Sequence, residues 1–176
     1  MAVITQEQLA LRRDELNSML KMAGIRNFRA NELDKHFNHR WDGPDRILPG
    51  REKLSNIIPS LLVLQVIRDS LGPIEILSGY RFDEYNDLLP GASPDSQHKN
   101  FTAVDFRPVG AFAKISWEEF LAVTLSVVMS AMSAHGMVDS DLKMGVFIYP
   151  PSDDRTGFIH LDFGEFREES IIRRIN

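Results

Sequence analysis

Two histidines and two aspartates stand out because their types and spacing suit a metal ion. His98 ends a polar loop, and Asp105 follows it on an apolar stretch. Far downstream, Ile159-His160-Leu161-Asp162 alternates in a way that suits a strand, where residues two apart share a face. His160 and Asp162 are therefore expected to project together. Imidazole nitrogen and carboxylate oxygen are both good zinc ligands. Three protein ligands, here His98, Asp105 and His160, leave a fourth position for water. The chemistry would be hydrolytic: zinc lowers the pKa of water to about 7 and polarises a carbonyl, and a nearby carboxylate takes the proton. Asp162 is the candidate for that base; the alternative is that it orients His160. Asp105 likewise has a plainer reading, as the cap of a turn. His36, His39 and His135 lack such surroundings and are read as structural or solvated.

The elements that must carry these groups follow from pattern. Thr5 and Gln8 have capping-box spacing, and Leu9, Leu16 and Leu20 form an apolar stripe, so a helix is predicted from Thr5 to about Ala23, with Gly24 as its stop. A shorter helix is predicted around Ala30 to Asn38, then a loop from Arg40 to Arg51. Ile57 to Leu71 reads as a central helix, apolar on most sides, with Pro59 suited to its first turn. Ile74 to Leu77 is a strand candidate and Asp83 to Leu89 a short helix. Ala103 to Phe106 is a strand. Ser116 and Glu119 open a long apolar helix that ends near Ala134. Gly145 to Tyr149 and Gly157 to Phe163 are strands joined by a polar connection, Pro150 to Arg155. The charged tail, residues 165–176, shows no pattern. Helices come mostly first and strands cluster later, which favours an α+β fold with a small, mainly antiparallel sheet flanked by helices.

Composition narrows the classes. At 176 residues the chain suits one domain, read as an N-terminal helical extension (1–27), a core (28–164) and the tail. It is 43% hydrophobic and 26% charged, enough apolar material for a packed core. A net charge of −5 without a basic stripe argues against nucleic acid. The absence of cysteine excludes disulfides, thiolate metal sites and a cysteine nucleophile. No secretory signal and no membrane-spanning run is read from the pattern.

Several separated motifs then converge. Ser78-Gly79-Tyr80-Arg81, Tyr85-Asn86, Gly91-Ala92-Ser93-Pro94-Asp95-Ser96-Gln97-His98, Ala103-Val104-Asp105, Gly145 to Pro150 and Phe158-Ile159-His160-Leu161-Asp162 occur in the order seen in one family. Together they resemble the zinc D,D-peptidase (D-alanyl-D-alanine carboxypeptidase) family of the Hedgehog/DD-peptidase fold superfamily. The likeness spans roughly Phe28 to Gly164. It implies zinc, with His98, Asp105 and His160 as ligands, and cleavage of amide bonds in peptidoglycan stem peptides. It also implies that Arg81 faces the active site and stabilises developing negative charge or a substrate carboxylate, which its fixed charge and planar fork suit. The plain alternative for Arg81 is a structural ion pair. Ser96 and Gln97 are expected to shape the loop, and Tyr80 and Asn86 to pack.

Two positions depart from the family pattern. Phe101 stands where the motif has glycine, and the expectation is a narrowed cleft or a reshaped loop. Gly157 stands where many relatives carry an acidic base, three residues before the last histidine. Asp162 is then the natural substitute, with Asp153 and Asp154 as weaker candidates. The leading expectation is a peptidoglycan-cleaving metallopeptidase that acts at the bacterial cell wall or in a phage particle. The alternative is a non-catalytic structural or binding module with virion or tail partners.

Overall fold

The computed structural model describes residues 4–34, 47–109, 116–134, 143–152, 157–164 and 171–174. His36, His39, His135, Asp153 and Asp154 lie outside the described residues. Helix α1 (Gln6–Met22) starts with the expected box: Gln8 N donates to Thr5 Oγ1 and Thr5 N to Gln8 Oε1. Its Leu9, Leu16 and Leu20 enter the same apolar cluster as the rest of the core. The short helix α2 (Ala30–Leu33) follows.

A 3-10 segment, Arg51–Ile57, runs directly into helix α3 (Ile58–Leu71). Together they form a helical stretch of 21 residues containing an 18-residue window of mean hydropathy 1.2, which by length and composition alone could cross a membrane. The stretch is charged at its start (Arg51, Glu52, Lys53), and it buries Leu54, Ile57, Leu61, Val63, Leu64 and Ile67 completely, so its apolar residues build the protein core. Helix α5 (Trp117–Ala134) packs against α3 and opens with reciprocal Ser116–Glu119 bonds, as the spacing predicts.

Five strands form one sheet: β1 (Ile74–Ser78), β2 (Ala103–Pro108), β3 (Lys143–Tyr149), β4 (Phe158–Gly164) and β5 (Ile171–Arg174). Their order is β1-β2-β4-β3-β5. All pairs are antiparallel except β3–β5, which is parallel. The α+β, mainly antiparallel architecture is as expected; the strand in the tail is not, and β5 is an addition to that reading.

The period of two divides this sheet chemically. On one face Val104, Phe106, Val146, Ile148, Ile159, Leu161 and Phe163 are buried in the core beneath α3. The opposite face carries Asp105, Phe147, His160 and Asp162. Register places Ser78 beside Asp105, Asp105 beside His160 and His160 beside Phe147, in one row across four strands.

Candidate metal centre

Asp105 and His160 are brought together by strand pairing, and His98 by a turn. A 3-10 segment, Gln97–Asn100, precedes β2 and ends at Phe101, whose backbone is left-handed (φ 58°, ψ 34°). Phe101 is the one non-glycine residue with positive φ among the described residues, at the position where the family has glycine. A bulky side chain is an outlier there. Its ring is fully buried and meets Tyr80 edge-on at 6.1 Å, away from the cleft. The expected narrowing does not occur: the loop keeps a glycine-like backbone, and aromatic packing holds it there.

Gln97 shapes the same turn, accepting from Thr102 through its backbone and side-chain oxygens. Lys53 and Asn56 reach across from the 3-10 segment before α3 to the carbonyls of Lys99 and Asn100. Asn86, in helix α4 (Asp83–Asp87), donates to the Ser93 carbonyl and pins the loop that walls the cleft. Gly79 lies against backbone: a Cβ there would sit 2.4 Å from the Leu33 carbonyl oxygen, so no side chain fits.

Gly79 also sets the state of His98. Nδ1 of His98 lies 2.6 Å from the Gly79 carbonyl oxygen, which can only accept, so Nδ1 carries the proton. The ring is 1% exposed, and burial depresses its pKa to about 4, so it is neutral near pH 7. Nε2 therefore points a lone pair into a buried space. It makes no hydrogen bond among the described residues, although Asp105 Oδ1 lies only 3.2 Å away. Two acceptors facing each other at that distance call for a cation between them.

His160 is the opposite case. Burial works to lower its pKa, but the carboxylates of Asp105 and Asp162 outweigh it and raise the pKa to about 9. The imidazolium donates from Nδ1 to Asp105 Oδ1 at 2.7 Å and from Nε2 to Asp162 Oδ2 at 3.0 Å. Asp105 itself resists protonation. Burial opposes its charge, but the His160 imidazolium and the Arg81 guanidinium hold its pKa well below the usual carboxylate range.

One ligand atom each from His98, Asp105 and His160 lies within 4.8 Å of the others. Ligands about 2.0–2.2 Å from a tetrahedral zinc ion sit roughly 3.3–3.5 Å apart, so the separations here need small adjustments. The donor set of two imidazoles and one carboxylate fits a divalent ion of the zinc type.

Arg81 and Asp162 flank this group. Arg81 Nη2 bonds Asp105 Oδ2 at 2.5 Å and its Nε donates to Ser78 Oγ at 2.9 Å. The guanidinium thus grips the carboxylate oxygen turned away from the histidines, while its side chain also lines the cleft. Asp162 is fully buried. One of its oxygens meets His160 Nε2 and the other accepts from Gly164 N at 3.2 Å. That arrangement suits a residue that orients His160. At Gly157 a Cβ would lie 2.6–2.7 Å from Pro151 Cδ and N, so the chain has no room for an acidic side chain there. A cleft of about 520 Å³ opens over the centre, walled by residues 89–93, 95 and 96 on one side and by Phe147, Tyr149 and Phe158 on the other.

No curated protein matches the chain. The family model described as Peptidase M15 matches residues 26–133, a span that holds Ser78 to Arg81, His98 and Asp105 and stops short of His160. A match over more than half of the sequence, joined to this donor set, shows that the chain belongs to the peptidase M15 family.

Proposed function

We propose that the protein is a zinc peptidase that cleaves amide bonds of peptidoglycan stem peptides or cross-links, with His98, Asp105 and His160 holding the ion. The observation that carries this reading is the buried, unpartnered Nε2 of His98 facing the Asp105 carboxylate. When bound, the ion acidifies water and polarises a substrate carbonyl. Asp162 keeps the proton of His160 on Nε2 and so leaves Nδ1 for the ion. It is a positioning residue in this reading, not the base. Arg81 holds Asp105 in place and offers positive charge at the edge of the cleft, where oxyanion character develops or a substrate carboxylate sits.

The direct test adds purified protein, with and without a chelator, to isolated peptidoglycan and analyses the products by mass spectrometry. New termini that vanish with chelator are expected. No new termini across several wall chemistries would sink the reading. A second reading, a wall-binding or virion module without turnover, draws on Gly157, where the family's acidic residue has no room. It would show up as peptidoglycan retained by the protein but chemically unchanged.

A further inference from the structure

Strict alternation along β1 would bury Ser78. Ile74 and Ile76 both sink into the core, and the residue two positions further on should follow them. The register breaks that pattern. Ile76 pairs with Phe106, and Ser78, not Leu77, pairs with Asp105. Leu77 is therefore the extra residue of a β-bulge, on a strand at the edge of the sheet. The bulge carries Ser78 over to the face that holds Asp105 and His160. Ser78 is half-buried there, and the cleft is lined by Arg81 rather than by Ser78 itself.

Arg81 uses both residues of that cross-strand pair. Its Nε donates to Ser78 Oγ at 2.9 Å and its Nη2 to Asp105 Oδ2 at 2.5 Å. A planar guanidinium held by one bond can pivot about it. Two bonds from different nitrogens fix the plane. Nη1, with two further N–H groups, makes no hydrogen bond among the described residues, and Arg81 lines the cleft. The two anchors stand beside each other on neighbouring strands, so the bulge sets their spacing. With Leu77 beside Asp105 instead, Nε would face an apolar side chain and lose its acceptor.

We infer that Ser78 is a positioning residue: it fixes the plane of the Arg81 guanidinium so that Nη1 is free in the cleft for a substrate oxygen that carries or develops negative charge. The inference rests on the peptidase reading above and adds to it the group that aims Arg81. Asp105 cannot do this alone. Its other oxygen faces His98 and His160, so a carboxylate that adjusts to an ion would swing the guanidinium with it. Ser78 gives the guanidinium a second hold outside the ligand set. A donor fixed in advance costs no reorganisation when substrate charge develops.

Ser78→Ala removes the acceptor and little else, and two measurements test it. In heteronuclear NMR of the zinc-loaded protein, the Arg81 Nε–H is identified by its loss in Arg81→Met. Ser78→Ala is expected to speed its exchange with water about tenfold or more, and Ser78→Thr, which keeps the hydroxyl, should restore it. In turnover of peptidoglycan fragments followed by mass spectrometry, Ser78→Ala should lower kcat/KM about tenfold at unchanged zinc content, with Ser78→Thr within about twofold of wild type. In an Arg81→Met background the same substitution should cost less than about twofold, because no guanidinium is left to aim. An equal loss in both backgrounds, or an Nε–H signal that Ser78→Ala leaves unmoved, would overturn the role and leave the peptidase reading standing. No cleavage by the wild-type protein would sink the peptidase reading, and the substrate-facing part of the inference would fall with it.

Discussion

His98 and His160 face the same carboxylate from two differently built regions, and they are tuned in opposite directions. His98 sits on a turn, sealed from solvent, with Gly79 fixing its tautomer and burial keeping it neutral. His160 sits in a central strand between two carboxylates that keep it charged. On the proposed zinc reading, His98 is ready for a cation, and His160 must first release a proton. A ligand set thus need not be uniformly prepared; it is enough that the turn offers a lone pair and that the strand offers charge which a metal can replace.

The largest effect should come from the prepared side. His98→Ala removes the one neutral, aimed nitrogen, and zinc affinity is expected to fall on the order of a thousandfold. Elemental analysis of the purified variant should show almost no zinc. Full retention of zinc would mean that His98 is not a ligand.

The turn also depends on Phe101. Phe101→Gly would relieve a left-handed backbone worth about 1 kcal/mol of strain but would empty an aromatic site whose loss costs about 3–5 kcal/mol. Net destabilisation of roughly 3 kcal/mol is expected in denaturant unfolding, with the substitution made toward the family's own residue. A gain in stability would show that packing against Tyr80 contributes little.

The strand side should reveal itself through pH. Below about 9 the metal competes with the His160 proton, so apparent zinc affinity should rise about tenfold per pH unit. Between pH 6.5 and 8.5 that is about a hundredfold in chelator competition; a flat profile would show that His160 binds no proton there. The metal-free protein should behave asymmetrically. His160 has a raised pKa, so its stabilisation is complete below about 6.5 and is lost as pH climbs through 9. His98 has a lowered pKa, so its contribution is complete above about 6.5 and is lost as pH falls through 4. Without metal, stability is therefore expected to peak near neutrality and to decline on both sides in urea titrations.

Much of the centre was legible in the sequence because ligand chemistry restricts residue type, and strand alternation places His160 and Asp162 on one face. The long helices were legible for a related reason: Thr5 with Gln8, and Ser116 with Glu119, announce their starts. What alternation does not encode is which atom of a side chain meets which. Nothing in H-x-D says that Asp162 reaches the far nitrogen of His160. The tail is a different failure. Ile171–Arg174 shows no alternation of apolar and polar residues, and it pairs in parallel with a strand distant in sequence, so its strand depends on a non-local partner. Phe101 was legible as an anomaly, but whether it narrows the cleft or reshapes the loop was not. The position demands a backbone angle, and where its ring would go depended on Tyr80, in another motif.

The finest distinction concerns Asp162, where two roles predict different outcomes for one substitution. Asp162→Asn keeps size but replaces an obligatory acceptor with an amide that can present either N–H or C=O to His160 Nε2. If Asp162 positions His160, the wrong tautomer becomes accessible and zinc affinity falls about 10–100-fold. Activity measured at saturating zinc should then recover most of its loss. If Asp162 were the base, zinc binding would change little, and the rate would stay low by about two to four orders of magnitude however much zinc is supplied. Its full burial and its bonds to His160 Nε2 and from Gly164 N engage both oxygens, so the zinc-rescued outcome is the one expected. Zinc titration of the variant, with turnover followed at each concentration, separates the two.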